Sequence, residues 1–346
     1  MNSTETIALA DRAVWPYRLL ARLRSGPLFV SAVVAAALLV LGCSIAAFTH
    51  EFHVLLGIPT LALLIGLAVG TGSFVWHRRA LGTLVDAITP AAVQVNSLDE
   101  AVRTAFRHFP PNGWLLGFGL LLGSTLYLVF PQQLSSSYRV YHIFLCIAGG
   151  LLFGYGVVGF IWTYNLILIL SQVSFSLFYS HRLLAISTLA CGLAFFGVWP
   201  IAFTAILWAI HPNVIVGLVG IAEIVLLFTG WALAGIGIHR INTRSRQVAL
   251  DVIARHLDEQ WAKFQAAQDL ADRTKLYEAI EQGHKLLENI KHHQCRIVDW
   301  GALCGKVLIP LVIAATTAVA VGLIKPMVEP QANTANQPAG VPLKAR

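Results

Sequence analysis

Residues 213–238 read NVIVGLVGIAEIVLLFTGWALAGIGI, an apolar run broken by one charged side chain, Glu223. A helix needs about 20 consecutive apolar residues to cross about 30 Å of hydrocarbon, so this run predicts a membrane-spanning helix. The run lacks the alternation of an outer-membrane strand, and lipid requires every backbone polar group to be satisfied within the segment, which leaves a helix as the solution. Working outward, 27–49, 53–76, 113–131, 141–166 and 184–210 before it, and 301–324 after it, have the same character. The fold class read from these stretches is all-α: a polytopic helical membrane protein with about seven transmembrane helices.

Composition agrees. Of 346 residues, 57% are hydrophobic and 12% charged, with a mean hydropathy of +0.70. Soluble domains carry roughly a quarter charged residues, so a chain solvated mainly by water is excluded. The net charge of +7 is distributed unevenly. Arg12, Arg18, Arg22 and Arg24 precede the first stretch, Arg78, Arg79, Arg103 and Arg107 lie between the second and third, Arg182 lies before the fifth, and a basic series runs from Arg240 to Arg296. The intervening turns at 50–52 and 211–212 carry none, and 132–140 only Arg139. The positive-inside rule then places the N-terminus in the cytoplasm and the C-terminus outside, in a bacterial inner membrane. The charge reports topology and affinity for the lipid bilayer; without an aromatic-basic groove, no nucleic-acid partner is expected.

The soluble parts divide into four. Residues 1–26 read as a cytoplasmic N-terminal tail, and 325–346, rich in Pro, Ala, Gln and Asn, as a disordered extracytoplasmic tail. Within 77–112, Ser97 and Glu100 have the spacing of a capping box. Leu98, Val102, Ala105, Phe106 and Phe109 follow on one face, predicting an amphipathic helix over 97–109 that rests on the inner headgroups. Residues 239–300 form the one sizeable soluble module. Ile253, Leu257, Trp261 and Phe264 in its first part, and Leu276, Ile280, Gly283, Leu287 and Ile290 in its second, recur at three and four. Both ends must return to the same membrane face, so the module reads as a cytoplasmic antiparallel helical hairpin turning at Asp272-Arg273-Thr274. Leu276, Ile280, Leu287 and Ile290 are its candidate interface with a second copy or a cytosolic partner.

Glu223 is the lone acid within the seven stretches, and a carboxyl at bilayer depth is costly enough to be a functional candidate by default. His211-Pro212 turns the chain between the fifth and sixth stretches, so Glu223 falls level with Pro200. Proline lacks an amide donor and displaces the carbonyl one turn earlier, that of Phe196, which a protonated Glu223 would satisfy. Glu223, Pro200, Phe196 and Trp199 are therefore the candidate pore, ion or proton site, with Gly192 and Gly197 easing a bend there. Gly66 with Gly70, Gly113 with Gly117, Gly119 with Gly123, and Gly150 with Gly154 have the spacing of close-packing helices. Trp76, Trp114, Trp208, Trp231 and Trp300 lie near stretch ends and read as interfacial anchors.

Several chemistries are absent from the sequence. His50-Glu51-Phe52-His53 lacks the spacing of a metalloprotease helix, and His292, His293 and Cys295 lack a second zinc-ligand pair, so no metal is expected. There is no phosphate-binding loop, no nucleophile elbow and no carboxylate pair, hence no enzyme and no cofactor. No inverted repeat marks a secondary transporter. The leading expectation is an oligomeric ion channel or passive transport protein with its polar point at Glu223 and Pro200. The alternative is a membrane-anchored scaffold or signalling subunit that recruits a cytosolic partner through 239–300.

Overall fold

Long apolar runs with few breakers give long helices, and the computed structural model, which describes residues 3–20, 25–50, 52–55, 57–129, 136–210 and 214–292, is built of them. In chain order they are α1 (Ser3–Ala13), α2 (Trp15–Leu20), α3 (Pro27–Thr49), α4 (Phe52–Leu55), α5 (Ile58–Ile88), α6 (Val95–Arg107), α7 (Asn112–Val129), α8 (Ser136–Leu170), α9 (Ser180–Ile210), α10 (Val214–Ala266) and α11 (Leu270–His292). Proline in the first turn opens α3 and α5, where its fixed φ suits the helix and its missing donor is not needed. His50 closes α3 in the left-handed region, at φ 59°, donating its amide to the Ala46 carbonyl.

Five of these helices, α3, α5, α8, α9 and α10, are long and apolar enough to cross a membrane. The expected stretch at 113–131 corresponds to α7, which is apolar but shorter than those five, and 301–324 lies outside the described residues, as do Trp300 and the tail 325–346. Two of the four glycine pairs meet each other. A Cβ on Gly150 would collide with the backbone of Gly123 and Gly119, and one on Gly119 would stand 2.7 Å from the Leu151 Cα, so α7 and α8 touch backbone to backbone. Gly66, Gly113 and Gly117 face open space instead, and Gly70 has only Leu152 nearby, so spacing alone did not select the packing pairs.

The main core lies at the end of the bundle where the basic segments gather. Tyr17, Leu84, Ile88, Leu98, Ile167 and Phe175 are among its most buried members. Residues 1–26, expected as a tail, supply α1 and α2, which dock on this core through Ala10, Val14, Tyr17 and Leu20. The amphipathic helix also differs from expectation. α6 begins at Val95, Ser97 donates to the Gln94 side chain rather than capping the backbone, and no side-chain cap forms. Its apolar face is taken up by protein: Phe106 and Phe109 pack on Trp162 of α8, whose indole N–H donates to the Ala105 carbonyl at 2.7 Å. A face occupied in this way is not available to headgroups. An isolated antiparallel bridge, Ala92 with Phe175, ties the segment before α6 to the one before α9.

α10 continues past residue 238 without interruption, as one helix of 53 residues. The turn after it falls at 267–269, earlier than Asp272-Arg273-Thr274, because Asp269 accepts from the Ala271 amide and opens α11, leaving Asp272 in its first turn. α11 meets the distal half of α10: Gly283 lies against Leu257, and the Tyr277 ring is 6.5 Å from that of Phe264.

Candidate functional site

Two polar sites are built into the bundle. At the first, Glu223 of α10 faces α9, and the Thr204 hydroxyl hydrogen-bonds one carboxyl oxygen while Oε2 is buried with no partner among the described residues. Thr204 stands one turn beyond Pro200. The hairpin argument therefore placed Glu223 within a turn of its position but named the wrong partner: a side-chain hydroxyl meets the carboxyl, not the Phe196 carbonyl. α9 remains a single helix through Pro200. Gly192 and Gly197 serve contact rather than bending, since a Cβ on Gly192 would strike the Trp76 indole and one on Gly197 would stand 3.1 Å from Leu227. Phe196 packs on Trp76, ring centroids 5.2 Å apart, so it turns towards α5 and away from Glu223. Trp76 is thus a packing residue rather than an interfacial anchor, whereas Trp114 and Trp208 are exposed near helix ends. Of Trp199 the backbone alone is described.

The second site joins α1 and α2 to α5 and α8 and was not read from the sequence. Asp11 receives two hydrogen bonds from Arg78, Nε at 2.6 Å and Nη2 at 2.7 Å, in a fork-to-fork pair with both side chains about four-fifths buried. One residue before Arg78, the buried His77 bonds the Tyr17 hydroxyl through Nδ1 and Thr163 Oγ1 through Nε2. Proton bookkeeping orders this chain. Thr163 spends its single hydroxyl proton on the Gly159 carbonyl at 2.7 Å, so it accepts from Nε2–H, and Nδ1 in turn accepts from Tyr17. Each of the three side chains is satisfied only with the ring neutral in this one tautomer. Burial, with the Asp11 carboxylate adding to it and Arg78 opposing, pushes the Tyr17 phenol above the ordinary tyrosine range, so Tyr17 remains a donor. Arg79 continues the docking by donating to the Ser25 carbonyl at 2.7 Å. The available signal was the spacing of Ala10, Val14, Tyr17 and Leu20 at four, three and three, with an acid and a histidine set among apolar residues.

The seam residues of α11 face α10. Ile280 is buried and Leu276, Leu287 and Ile290 are half-buried on the side of α11 that carries Gly283, which rests on α10. They pack within the chain and are not presented as a free interface. Among the apolar residues the arm exposes are Trp261, Leu270 and Tyr277, with Trp261 stacked on Phe264 and the Arg273 guanidinium over the Phe264 ring at 5.9 Å. Among the described residues no three His, Cys, Asp or Glu side chains gather as a metal site. His50 is a helix cap, while Glu51, His293 and Cys295 lie outside the described residues. No family model matches the chain, and neither a curated protein nor a solved structure is similar to it.

Proposed function

We propose that the chain is a non-enzymatic, multi-pass protein of a bacterial inner membrane that acts as a membrane-anchored docking subunit. Its cytoplasmic arm, formed by the distal half of α10 and by α11 as a hairpin, carries a cytosolic protein partner, and residues 301–324 cross the membrane once more. The observation that carries this reading is the continuity of α10: one helix belongs both to the apolar bundle and to the polar arm, so anything held by the arm is held rigidly relative to the membrane. The exposed side of the arm suits a protein ligand, because Trp261, Tyr277 and Arg273 are of the residue types that anchor interfaces. In native membranes, Trp261→Ser with Tyr277→Ser is expected to abolish recovery of a cross-linked partner and the associated phenotype, with the protein still inserted and folded. An unchanged cross-linking pattern and phenotype would remove the reading.

Glu223 favours a second function, an oligomeric channel or passive transport protein. A buried carboxyl oxygen without a partner among the described residues, at the contact of two apolar helices, is what an ion or proton site requires when copies of the chain enclose it. Under this reading Glu223→Gln changes conductance of the protein in planar bilayers and Trp261→Ser with Tyr277→Ser does not. Under the first, the pattern is reversed.

A further inference from the structure

The contact of α9 with α10 changes character along its length. From Pro200 to Glu223, the described side chains that carry a polar atom are Thr204, Trp208 and Glu223, and all three lie on this contact. A Cβ on Gly217 would stand 3.4 Å from Trp208 Nε1 and one on Gly220 would stand 3.2 Å from Thr204 Cγ2, while the Thr204 hydroxyl bonds Glu223. An indole N–H, a hydroxyl and a carboxyl thus follow one another inward from the end of the bundle opposite the basic one. Glu223 stands about 14 Å from the start of α10 at Val214 and about 24 Å from His239, where the polar part of the helix begins. In that longer direction the contact is closed by hydrocarbon. Leu227 is buried and faces Gly197, and a Cβ on Gly230 would collide with the Phe160 and Tyr164 rings.

The donor set selects the ligand. Glu223 and Thr204 offer three oxygens, and Trp208 a donor without an acceptor, whereas hard metal cations take about six oxygens or more. A proton needs one, and Oε2 is buried without a partner among the described residues. Among those residues no charged group of α8 or α9 acts on the carboxyl; the Tyr164 phenol of α8, with Cys191 of α9 beside it, belongs to the level of Gly230, two turns further along α10. We propose that Glu223 is a proton-binding site loaded from the end of the bundle where α9 ends and α10 begins, with Thr204 as the relay. A hydronium ion beyond Thr204 gives a proton to its Oγ1 as the hydroxyl passes its own to the ionised carboxylate. Water and a neutral carboxyl remain, and the Trp208 N–H donates to that water. Release runs the same transfers backwards. The inference deepens the reading of Glu223 as an ion or proton site and rests on it.

The test uses the full chain in lipid vesicles, with its five cysteines replaced by serine and Gln260→Cys reporting the arm side to an impermeant maleimide. A membrane-permeant carbodiimide, which adds to protonated carboxyls, is applied with the pH set separately inside and outside, and the adduct on Glu223 is read by mass spectrometry. Labelling is expected to follow the pH on the side away from the arm and to ignore the pH on the arm side. Labelling that follows the arm side, or both sides equally, would overturn the direction of access while Glu223 stands as a proton site. An adduct absent or constant at every pH would overturn the proton site as well. After a pH jump on the far side, Thr204→Val is expected to respond at least about tenfold more slowly than the unsubstituted chain, and Thr204→Ser, which keeps the hydroxyl, at the original rate. Equal rates for all three, or a slow response in both variants, would overturn the relay.

Discussion

Tyr17 holds α2 to the bundle through one hydroxyl proton, and its removal isolates the value of that proton. Tyr17→Phe keeps the ring in the core and leaves His77 Nδ1 buried without a donor, at an expected cost of about 1–3 kcal/mol. Thermal unfolding in detergent checks this, with limited proteolysis of residues 3–20 reporting where the loss falls. The pH dependence has a definite sign. The ordinary phenol ionises near 10.0, and burial raises the Tyr17 value in the folded protein, so above the ordinary value the unfolded chain releases a proton that the folded one keeps. The stabilisation is thus complete below pH 10 and falls away as pH rises further. Docking of α2 should weaken steeply in alkali in the native protein and much less in Tyr17→Phe. The spacing of Ala10, Val14, Tyr17 and Leu20 marks a face that leaves water, but the pairing itself was not legible from the residues. Asp11 and Arg78 lie 67 residues apart and Tyr17 and His77 60, with α3 and most of α5 between them, and a lone histidine beside arginines signals nothing until a partner comes to it. Glu223 was legible because a charge in hydrocarbon has few alternatives, but its partner was not: a one-turn shift in depth exchanges a backbone carbonyl for a threonine.

At the scale of the element, glycine spacing shows what pattern can and cannot decide. Gly117 and Gly150 belong to pairs of identical spacing, yet a methyl group at Gly150 meets the backbone of α7 and one at Gly117 meets nothing. Gly150→Ala is expected to destabilise by about 1–3 kcal/mol through overpacking, whereas Gly117→Ala should be neutral or stabilise by up to about 1 kcal/mol through helix propensity. Melting temperatures of the two variants in one detergent suffice to compare them. The helices themselves were readable because lipid imposes length and uniform polarity on any segment that crosses it. Which face of a uniformly apolar helix meets protein rather than lipid leaves no such trace, since hydrocarbon and a leucine side chain are equivalent neighbours. α6 was misread for a related reason. Its amphipathic pattern states that one face leaves water and is silent on whether a headgroup or Trp162 receives it.

At the scale of the molecule, short elements collect at the basic end of the bundle. α1, α2 and α6 and the bridge from Ala92 to Phe175 gather there on α5 and α8, and α10 leaves the bundle against a collar formed by α8, α9 and the turn at 177–179. Arg244 of α10 donates to Ser174 beside the bridge, so the helix is gripped as it leaves. Gln247→Pro, placed just beyond the grip on an exposed position, removes one backbone hydrogen bond and should cost about 3 kcal/mol locally. Spin labels on the arm and on α5 should then report a broad distance distribution in place of a narrow one, with insertion unchanged. A stiff rod held in a collar is mechanically a lever. The part of α10 beyond Arg244 reaches about 33 Å, so a tilt of roughly 5° at the collar would carry the far end of the arm through about 3 Å. A displacement too small to notice among the spans would thereby become one that a bound protein must either follow or release.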